Sequence, residues 1–204
     1  MLIGLDFDNT LAAYDRVFSD AAHARGYIDG DSILPKIDVR TRIRALAGGE
    51  EKWKALQGEV YGRRMKDAEL MPGADAFLAR CKANGVDVVI VSHKTPFGHY
   101  DPDQINLHDA ARAWMTAQGF FDPDHFGLGE DAVYFETTRS EKVARLAGRG
   151  CTHFGDDLEE VFLEPEFPDG VTRILYDPSG SAGDEGPFER HSDWKSIERT
   201  ILGD

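Results

Sequence analysis

The 204-residue sequence predicts an α/β fold: a doubly wound, Rossmann-like parallel sheet with a small helical domain inserted in it. Three observations lead to this prediction. Short apolar runs rich in Val and Ile, which do not alternate with polar residues, are typical of strands buried on both faces of a parallel sheet. Patterns typical of amphipathic helices separate these runs. One long segment, residues 15–70, has helical patterns and no strand candidate.

Five apolar runs bounded by turn signals are the predicted strands. The first, MLIGL, opens the sequence and is followed at once by two aspartates separated by one Phe. Neighbouring parallel strands need crossover connections, which are right-handed in nearly all proteins and usually contain a helix. The predicted strands cover residues 1–5, 86–91, 132–135, 151–154 and 171–176.

Between the predicted strands, apolar residues recur every three or four positions, which indicates helices with one buried face. Phe77, Leu78 and Cys81 form one such stripe before the second strand. A capping box at Thr138 and Glu141 predicts where another helix begins. The remaining stripes lie at residues 107–115, 143–147 and 194–201.

The segment of residues 15–70 is too long to be a plain loop after the first strand. It carries three helical stripes, punctuated by Gly and Pro. We therefore expect two domains: an α/β core formed by residues 1–14 and 71–204, and a helical domain formed by residues 15–70. The low-complexity segment 177–187 is expected to be a surface loop. The three stripes of the helical domain lie at residues 17–21, 39–46 and 53–60.

Composition and charge restrict the possible partners. The 37 acidic residues outnumber the 23 basic residues and give a formal net charge of −14, which opposes binding to a nucleic acid polymer or to an anionic membrane. No apolar run approaches the roughly 20 residues of a membrane span, and the N-terminus lacks the pattern of a secretory signal. Cys81 and Cys151 lie beside apolar runs without a Cys-x-x-Cys spacing, which indicates buried, reduced thiols. We expect a cytoplasmic protein.

Side chains able to carry chemistry follow four of the five predicted strands. In doubly wound sheets, ligands bind beyond the carboxyl ends of the strands, so these side chains are expected to converge there. They are Asp6, Asp8 and Thr10 after the first strand; Ser92 and His93 after the second; Lys142 in the helix after the third; and Asp156 and Asp157 after the fourth.

This set of side chains is suited to phosphoryl transfer. Asp6, Asp8, Asp156 and Asp157 supply the hard oxygen ligands that Mg²⁺ prefers, and the cation offsets the repulsion between neighbouring acids. One carboxylate, Asp6, is then available to attack phosphorus, and the second, Asp8, to protonate the leaving oxygen and later to activate a water. Ser92 and Lys142 are placed to hold the phosphoryl oxygens.

The sequence resembles the haloacid dehalogenase superfamily of hydrolases. Four motifs of the family occur in the expected order, and the resemblance extends from Met1 to about Tyr176. The stretch DFDNT at 6–10 matches the family's first motif, DxDx[TV], and Ser92 after an apolar strand matches the second. Lys142 matches the third motif, and GDD at 155–157 matches the fourth. Four ordered motifs are far more specific than a single DxDxT.

The resemblance implies a role for each matched residue. Asp6 is implied as nucleophile and metal ligand, and Asp8 as acid/base with its backbone carbonyl on the metal. Asp156 is implied as a metal ligand supported by Asp157. The chain has His93 and Lys94 where the family often has Asn after the second motif, so we expect different substrate contacts there, with His93 among them. The resemblance makes Thr10 and Ser92 phosphate contacts and Lys142 the charge partner of the phosphoryl group and Asp6.

The resemblance implies an Mg²⁺-dependent phosphatase that hydrolyses a small soluble phosphorylated metabolite through an aspartyl phosphate, with the helical domain as a cap. A phosphomutase is an alternative, since it uses the same residues and differs in shielding the intermediate from water. A haloacid dehalogenase needs no second acid to protonate an ester oxygen, so Asp8 favours phosphate over halide. A catalytically silent ligand-binding protein is the third alternative, which the intact acid cluster disfavours.

Overall fold

The computed structural model describes residues 1–101, 103–180 and 185–203. Its centre is a six-stranded, wholly parallel sheet, which confirms the predicted fold class. Four residues of the expected 177–187 loop, residues 181–184, lie outside the described part of the chain. The six strands are β1 (Leu2–Leu5), β4 (Asp87–His93), β5 (Val133–Glu136), β6 (His153–Asp156), β7 (Thr172–Tyr176) and β8 (Glu189–His191).

The strands follow the order β5-β4-β1-β6-β7-β8, so the first strand of the chain lies in the interior of the sheet. The chain builds outward from β1 through β4 to β5, and then returns to the other side of β1 to continue with β6, β7 and β8. The carboxyl ends of β4, β1 and β6 are therefore neighbours at the point where the direction of winding reverses. This switch point is the usual ligand site of doubly wound sheets.

The sheet core forms because alternate strand residues point to opposite faces. Val89 and Val91 of β4 and Phe154 of β6 lie in one buried cluster with Val143 and Leu146 from a crossover helix. The helices of this α/β region are α4 (Ala74–Ala83), α6 (Arg139–Arg149), α7 (Glu159–Phe162) and α8 (Trp194–Leu202).

Gly4 of β1 shows how closely this layer packs. A Cβ at this position would lie 2.9 Å from a ring carbon of Phe154 and 3.1 Å from a methyl carbon of Leu146. The middle of the central strand therefore has no room for a side chain on this face, and the helix can pack directly against the sheet.

The chain folds as two compact units, of which residues 1–12, 70–94 and 118–204 form the first. Residues 13–69 and 95–117 form the second, so this unit adds residues 95–117 to the helical segment expected from the sequence. Its helices are α1 (Asp15–Ala24), α2 (Lys36–Arg44), α3 (Gly49–Tyr61) and α5 (Leu107–Ala117), with a short 3₁₀ turn at Met65–Asp67.

An aromatic cluster organises the helical unit. The Phe18 ring stacks on Trp53 with 5.0 Å between ring centroids, and Tyr61 meets Phe18 edge-on at 5.6 Å. The indole Nε1 of Trp114 donates a hydrogen bond to the Ala68 carbonyl oxygen at 2.8 Å, which fastens α5 to the end of the segment. The three predicted stripes of residues 15–70 thus become three packed helices.

Three strands were not predicted. β2 (Ala12–Ala13) and β3 (Glu69–Leu70) pair with each other and contain two residues each, which is too short to show a pattern. β8 has the polar sequence ERH and lies at the edge of the main sheet, where backbone hydrogen bonds to one neighbour suffice and no apolar run is needed. Within the described residues, every helix is too short or too polar to cross a bilayer.

Candidate active site

Asp6 lies immediately beyond the carboxyl end of β1. Its backbone N–H donates to the Gly155 carbonyl oxygen at 2.8 Å, so the pairing of β1 with β6 continues to this residue. The Asp6 side chain is almost completely buried, as is the Phe7 ring that follows. The chain then turns back, because the Leu11 N–H donates to the Phe7 carbonyl oxygen at 3.0 Å.

Asn9 shapes this turn and links two of the motifs. Its φ of 61° lies in the left-handed region, which Asn tolerates better than most residues. Its side-chain Nδ2 donates to Asp157 Oδ2 at 3.2 Å, across 148 residues of sequence. The Asn of DFDNT therefore joins the turn after β1 to the turn after β6.

Lys142 lies in the first turn of α6, where the capping box predicted from the sequence is present. The Thr138 hydroxyl accepts from the Glu141 N–H, and the Glu141 carboxylate accepts from the Thr138 N–H. This cap fixes the register of the helix start and directs Lys142 into the core. Its Nζ donates to Asp6 Oδ1 and to Asp156 Oδ2, both at 2.6 Å.

The electrostatics of this triad follow from burial and pairing. Burial alone would lower the pKa of Lys142, but the charges of Asp156 and Asp6 outweigh burial and raise that pKa, so Lys142 is held as an ammonium ion. Burial raises the pKa of Asp156, and the charge of Asp6 adds to this effect, while Lys142 opposes it. Two buried carboxylates thus share one ammonium, and a second cation would relieve the excess negative charge.

The acidic residues are close enough to bind one metal ion. One carboxylate oxygen each from Asp6, Asp156 and Asp157 lies within 4.8 Å of the others. Two oxygens on opposite sides of Mg²⁺, each at about 2.1 Å, are about 4.2 Å apart, so this spacing fits the ion with small side-chain movements. The donor set is all-oxygen, which suits Mg²⁺. Asp156 Oδ1 also accepts from the Leu158 N–H at 3.0 Å, which orients the carboxylate.

Asp8 does not share this cluster through its side chain. Its two carboxylate oxygens accept from Lys94 Nζ at 2.9 and 2.8 Å. From the sequence, Asp8 is expected among the acids that hold Mg²⁺, and the resemblance implies its backbone carbonyl as the ligand. Both expectations stay predictions. The structure separates the two acids of the first motif, since Asp6 faces Lys142 and Asp8 faces Lys94.

The three other predicted contact residues have different surroundings. Thr10 is fully buried, and within the described residues its Oγ1 has no hydrogen-bond partner, as expected of a group that awaits a ligand. Ser92 is buried near the carboxyl end of β4, in register with Phe135 of β5. His93 is exposed, and its Nε2 donates to the Thr137 carbonyl oxygen at 2.8 Å. A substrate contact of His93 stays a prediction.

Two residues in contact with this site were given no role from the sequence. Asn9 could have been noticed because Asn is enriched at positive φ, but its bond to Asp157 depends on the sheet order. Lys94 stands out in the sequence as a departure from the family's pattern, but the sequence gives it no role. Its pairing with Asp8 could not be read from the sequence, because alternation along β4 places Ser92 and Lys94 on one face without fixing the contacts beyond the strand end.

No family model and no curated protein matches the sequence significantly. Solved structures do match, at low identity. A haloacid dehalogenase-superfamily hydrolase from Ehrlichia chaffeensis is 15% identical with a TM-score of 0.58, covering 98% of this chain and 95% of that one. Protein tyrosine kinase A from Mycobacterium tuberculosis is also 15% identical with a TM-score of 0.58, covering 100% and 98%.

A third similar structure contains a ligand. A haloacid dehalogenase-family hydrolase from Deinococcus radiodurans R1, solved with bound phosphate and sodium, is 13% identical with a TM-score of 0.55, covering 98% of this chain and 94% of that one. The match extends over nearly the whole of both chains in each case, so the likeness includes the sheet and the helical segment. The chain therefore has the fold of the haloacid dehalogenase-superfamily hydrolases, with a helical insertion after its first strand that is consistent with a cap.

Proposed function

We propose that this protein is an Mg²⁺-dependent phosphatase that hydrolyses small phosphorylated metabolites. The observation that carries the proposal is the bridge made by Lys142, whose Nζ lies 2.6 Å from both Asp6 and Asp156. The buried ammonium lies between two carboxylates, and the Asp157 carboxylate lies close enough for the three acids to bind one metal ion. Phosphoryl transfer requires such charges around the phosphoryl group.

In the first half of the reaction, a carboxylate oxygen of Asp6 attacks the phosphorus of the ester. A new P–O bond to Asp6 forms while the P–O bond to the alcohol breaks, and the electron pair of the broken bond goes to the leaving oxygen. That oxygen takes a proton from the Asp8 carboxyl group and leaves as the alcohol. Asp6 is suited to the attack because it is buried and oriented by Lys142.

In the second half, water attacks the phosphorus of the aspartyl phosphate and loses a proton to the Asp8 carboxylate. The bond between phosphorus and Asp6 breaks, inorganic phosphate leaves, and Asp6 is regenerated. Asp8 returns to its protonated form, ready for the next ester. Lys142 and the Thr10 hydroxyl donate hydrogen bonds toward the phosphoryl oxygens. The Thr10 Oγ1 has no partner among the residues that the structure describes, which supports this role.

Asp6, Asp156 and Asp157 would hold the Mg²⁺ ion, and the ion would neutralise charge on the phosphoryl oxygens. The phosphate bound in the similar Deinococcus radiodurans structure supports a phosphoryl ligand for this fold. The kinase among the similar structures shows that the fold alone does not decide the activity, so the proposal depends on the side chains described above.

The decisive experiment measures phosphate release from a panel of small phosphomonoesters with Mg²⁺ present and with the metal chelated. We expect activity that requires Mg²⁺ and is lost in Asp6→Asn, because an amide is a poor nucleophile and supplies no anionic ligand. Lys195→Met, which changes an exposed lysine on α8, is the control and should retain activity. Turnover of Asp6→Asn close to that of the wild type would exclude the covalent mechanism.

A further inference from the structure

Lys94 is a buried lysine to which the proposed reaction gives no role. It directly follows β4, and only 3% of its surface is exposed. Its backbone N–H donates to the Glu136 carbonyl oxygen at 2.9 Å, so the main chain at this position is fixed by β5. Lysine is almost never fully buried without a charged partner, so the partner indicates why the residue is there.

That partner is the proposed acid/base. Lys94 Nζ lies 2.9 Å from Asp8 Oδ1 and 2.8 Å from Oδ2, and it lies 5.4 Å from the centre of the Phe7 ring. The Asp8 side chain is 19% exposed, against 3% for Lys94, so the carboxylate is reachable from solvent and the ammonium is not. One ammonium that holds both oxygens restricts rotation about the Cβ–Cγ bond of Asp8.

Lys94 and Lys142, both buried in this region, pair with different aspartates. Lys142 bonds to Asp6 and Asp156, whereas Lys94 bonds to Asp8. When Lys94 is replaced, Asp6 and Asp156 therefore still have Lys142 as their cation. Replacement of Lys94 therefore tests its bond to Asp8 while the bonds of Lys142 to Asp6 and Asp156 are kept.

We infer that Lys94 is a positioning residue that orients the Asp8 carboxyl group for both proton transfers, an inference that rests on the proposed phosphatase function. An ammonium has three donors and no acceptor. When Asp8 carries its proton, that hydrogen cannot point at Lys94, so the carbonyl oxygen accepts from Lys94 and the O–H faces away from it. When Asp8 is a carboxylate, Lys94 holds the same group in place to accept a proton from water.

The test uses three esters whose leaving groups differ widely in their need for a proton: 4-nitrophenyl, phenyl and propyl phosphate. The parameter is kcat/KM, which covers the steps up to release of the alcohol. General acid catalysis contributes about 10²- to 10⁴-fold, so Lys94→Met should lower kcat/KM by about 10²-fold for propyl phosphate and by less than about tenfold for 4-nitrophenyl phosphate. Lys195→Met is the matched control and should change neither value.

A kinetic double-mutant cycle separates orientation of Asp8 from a general structural effect. If Lys94 acts through Asp8, Lys94→Met should have little further effect in an Asp8→Asn background. Lys94→Arg keeps a cationic donor and should restore part of the loss. An equal loss for all three esters, or a full further loss in the Asp8→Asn background, would overturn the inference. If Lys94→Met does not fold by circular dichroism, Lys94→Gln, which keeps one donor group, takes its place.

Failure of the proposed function would show separately, as a wild-type protein that hydrolyses none of the three esters. In that case urea unfolding of the wild type, Lys94→Met, Asp8→Asn and the double variant measures the coupling between the two side chains. A clear coupling supports the orienting contact even then, and absence of coupling overturns it.

Discussion

At the scale of single residues, one lysine side chain compensates the charge of two buried aspartates in the site. Lys142 is the only cation in hydrogen-bond contact with Asp6 and Asp156 among the described residues, and all three side chains are almost completely buried. Removing one member of a buried ionic group leaves the others without compensation, which costs far more than losing a surface pair.

We therefore predict that Lys142→Met destabilises the fold by about 3–5 kcal/mol when metal is chelated, because two buried carboxylates lose their shared cation. Urea unfolding followed by circular dichroism measures the change as a lower midpoint at unchanged slope. The control is Lys195→Met, for which we expect no measurable change. A Lys142→Met midpoint equal to that of the wild type would show that the bridge contributes nothing to stability.

At the scale of secondary-structure elements, the start of α6 connects helix capping to the site. The reciprocal bonds between Thr138 and Glu141 satisfy N–H groups that would otherwise lack partners, and they place Lys142 in the first turn. α8 has a comparable cap, in which the Asp193 side chain accepts from the Ser196 N–H at 2.7 Å, but no proposed site residue lies on that helix.

We predict that Thr138→Ala and Asp193→Ala each lower stability by about 0.5–2 kcal/mol, the usual cost of losing a cap. Only Thr138→Ala should also lower phosphatase kcat, because fraying of the first turn of α6 displaces Lys142. Urea unfolding and steady-state kinetics on the two variants make the comparison, with Thr138→Ser expected to retain both properties. Equal kcat in the two alanine variants would contradict the link between the cap and the site.

The helical unit contains a charged cluster of Glu59, Arg25 and Arg64, which leads to a second prediction at this scale. The Glu59 carboxylate accepts from Arg25 and from Arg64, each at 2.6 Å, and joins α1, α3 and the turn after α3. Burial alone would raise the pKa of Glu59, but the hydrogen bonds from Arg64 and Arg25 outweigh it and hold that pKa below the ordinary 4.5. The unfolded chain then takes up the proton more readily than the folded chain.

The stability from this cluster is therefore complete above the unfolded pKa of Glu59 and is lost as the pH falls through the lower folded pKa. We predict that Glu59→Gln, which cannot titrate, is less stable than the wild type at pH 7 and that the difference shrinks as the pH approaches 3. Thermal melts of both proteins across this range measure the difference. A gap that stays constant with pH would rule out the linkage.

At the scale of the whole molecule, the chain forms a parallel-sheet unit that carries the proposed catalytic residues and a helical unit that carries none of them. Arg44 of the helical unit pairs with Glu50 at 2.7 Å, in a solvent-exposed contact. The resemblance implies a cap formed by residues 15–70, and we propose that this segment restricts substrates to small esters, as caps and lids do when they exclude bulk water.

On that basis we predict a strong preference for small substrates when the leaving group is held constant. Free phosphotyrosine and a folded phosphotyrosyl protein share the same phenol, so a difference in kcat/KM between them reports size and not chemistry. We expect hydrolysis of the free amino acid and little or none of the protein. Comparable turnover of the two would refute the cap as a selector of substrate size.

The sequence by itself determined the fold class and the residues that meet at the sheet edge. Buried parallel strands must be apolar on both faces, so five of the six main strands were visible as short apolar runs, and the capping box located the start of α6. The motif order brought Asp6, Lys142 and Asp156 to one place, because the carboxyl ends of parallel strands lie at one edge. β8 was missed because an edge strand held by backbone hydrogen bonds needs no apolar run.

Only the tertiary structure decided which lysine pairs with which aspartate. A sequence pattern places residues at the end of a strand, but the partner of a buried side chain depends on strand order and on packing over a few ångströms. For this reason the pairing of Lys94 with Asp8, the bond from Asn9 to Asp157 and the inclusion of residues 95–117 in the helical unit could be seen only in the folded chain.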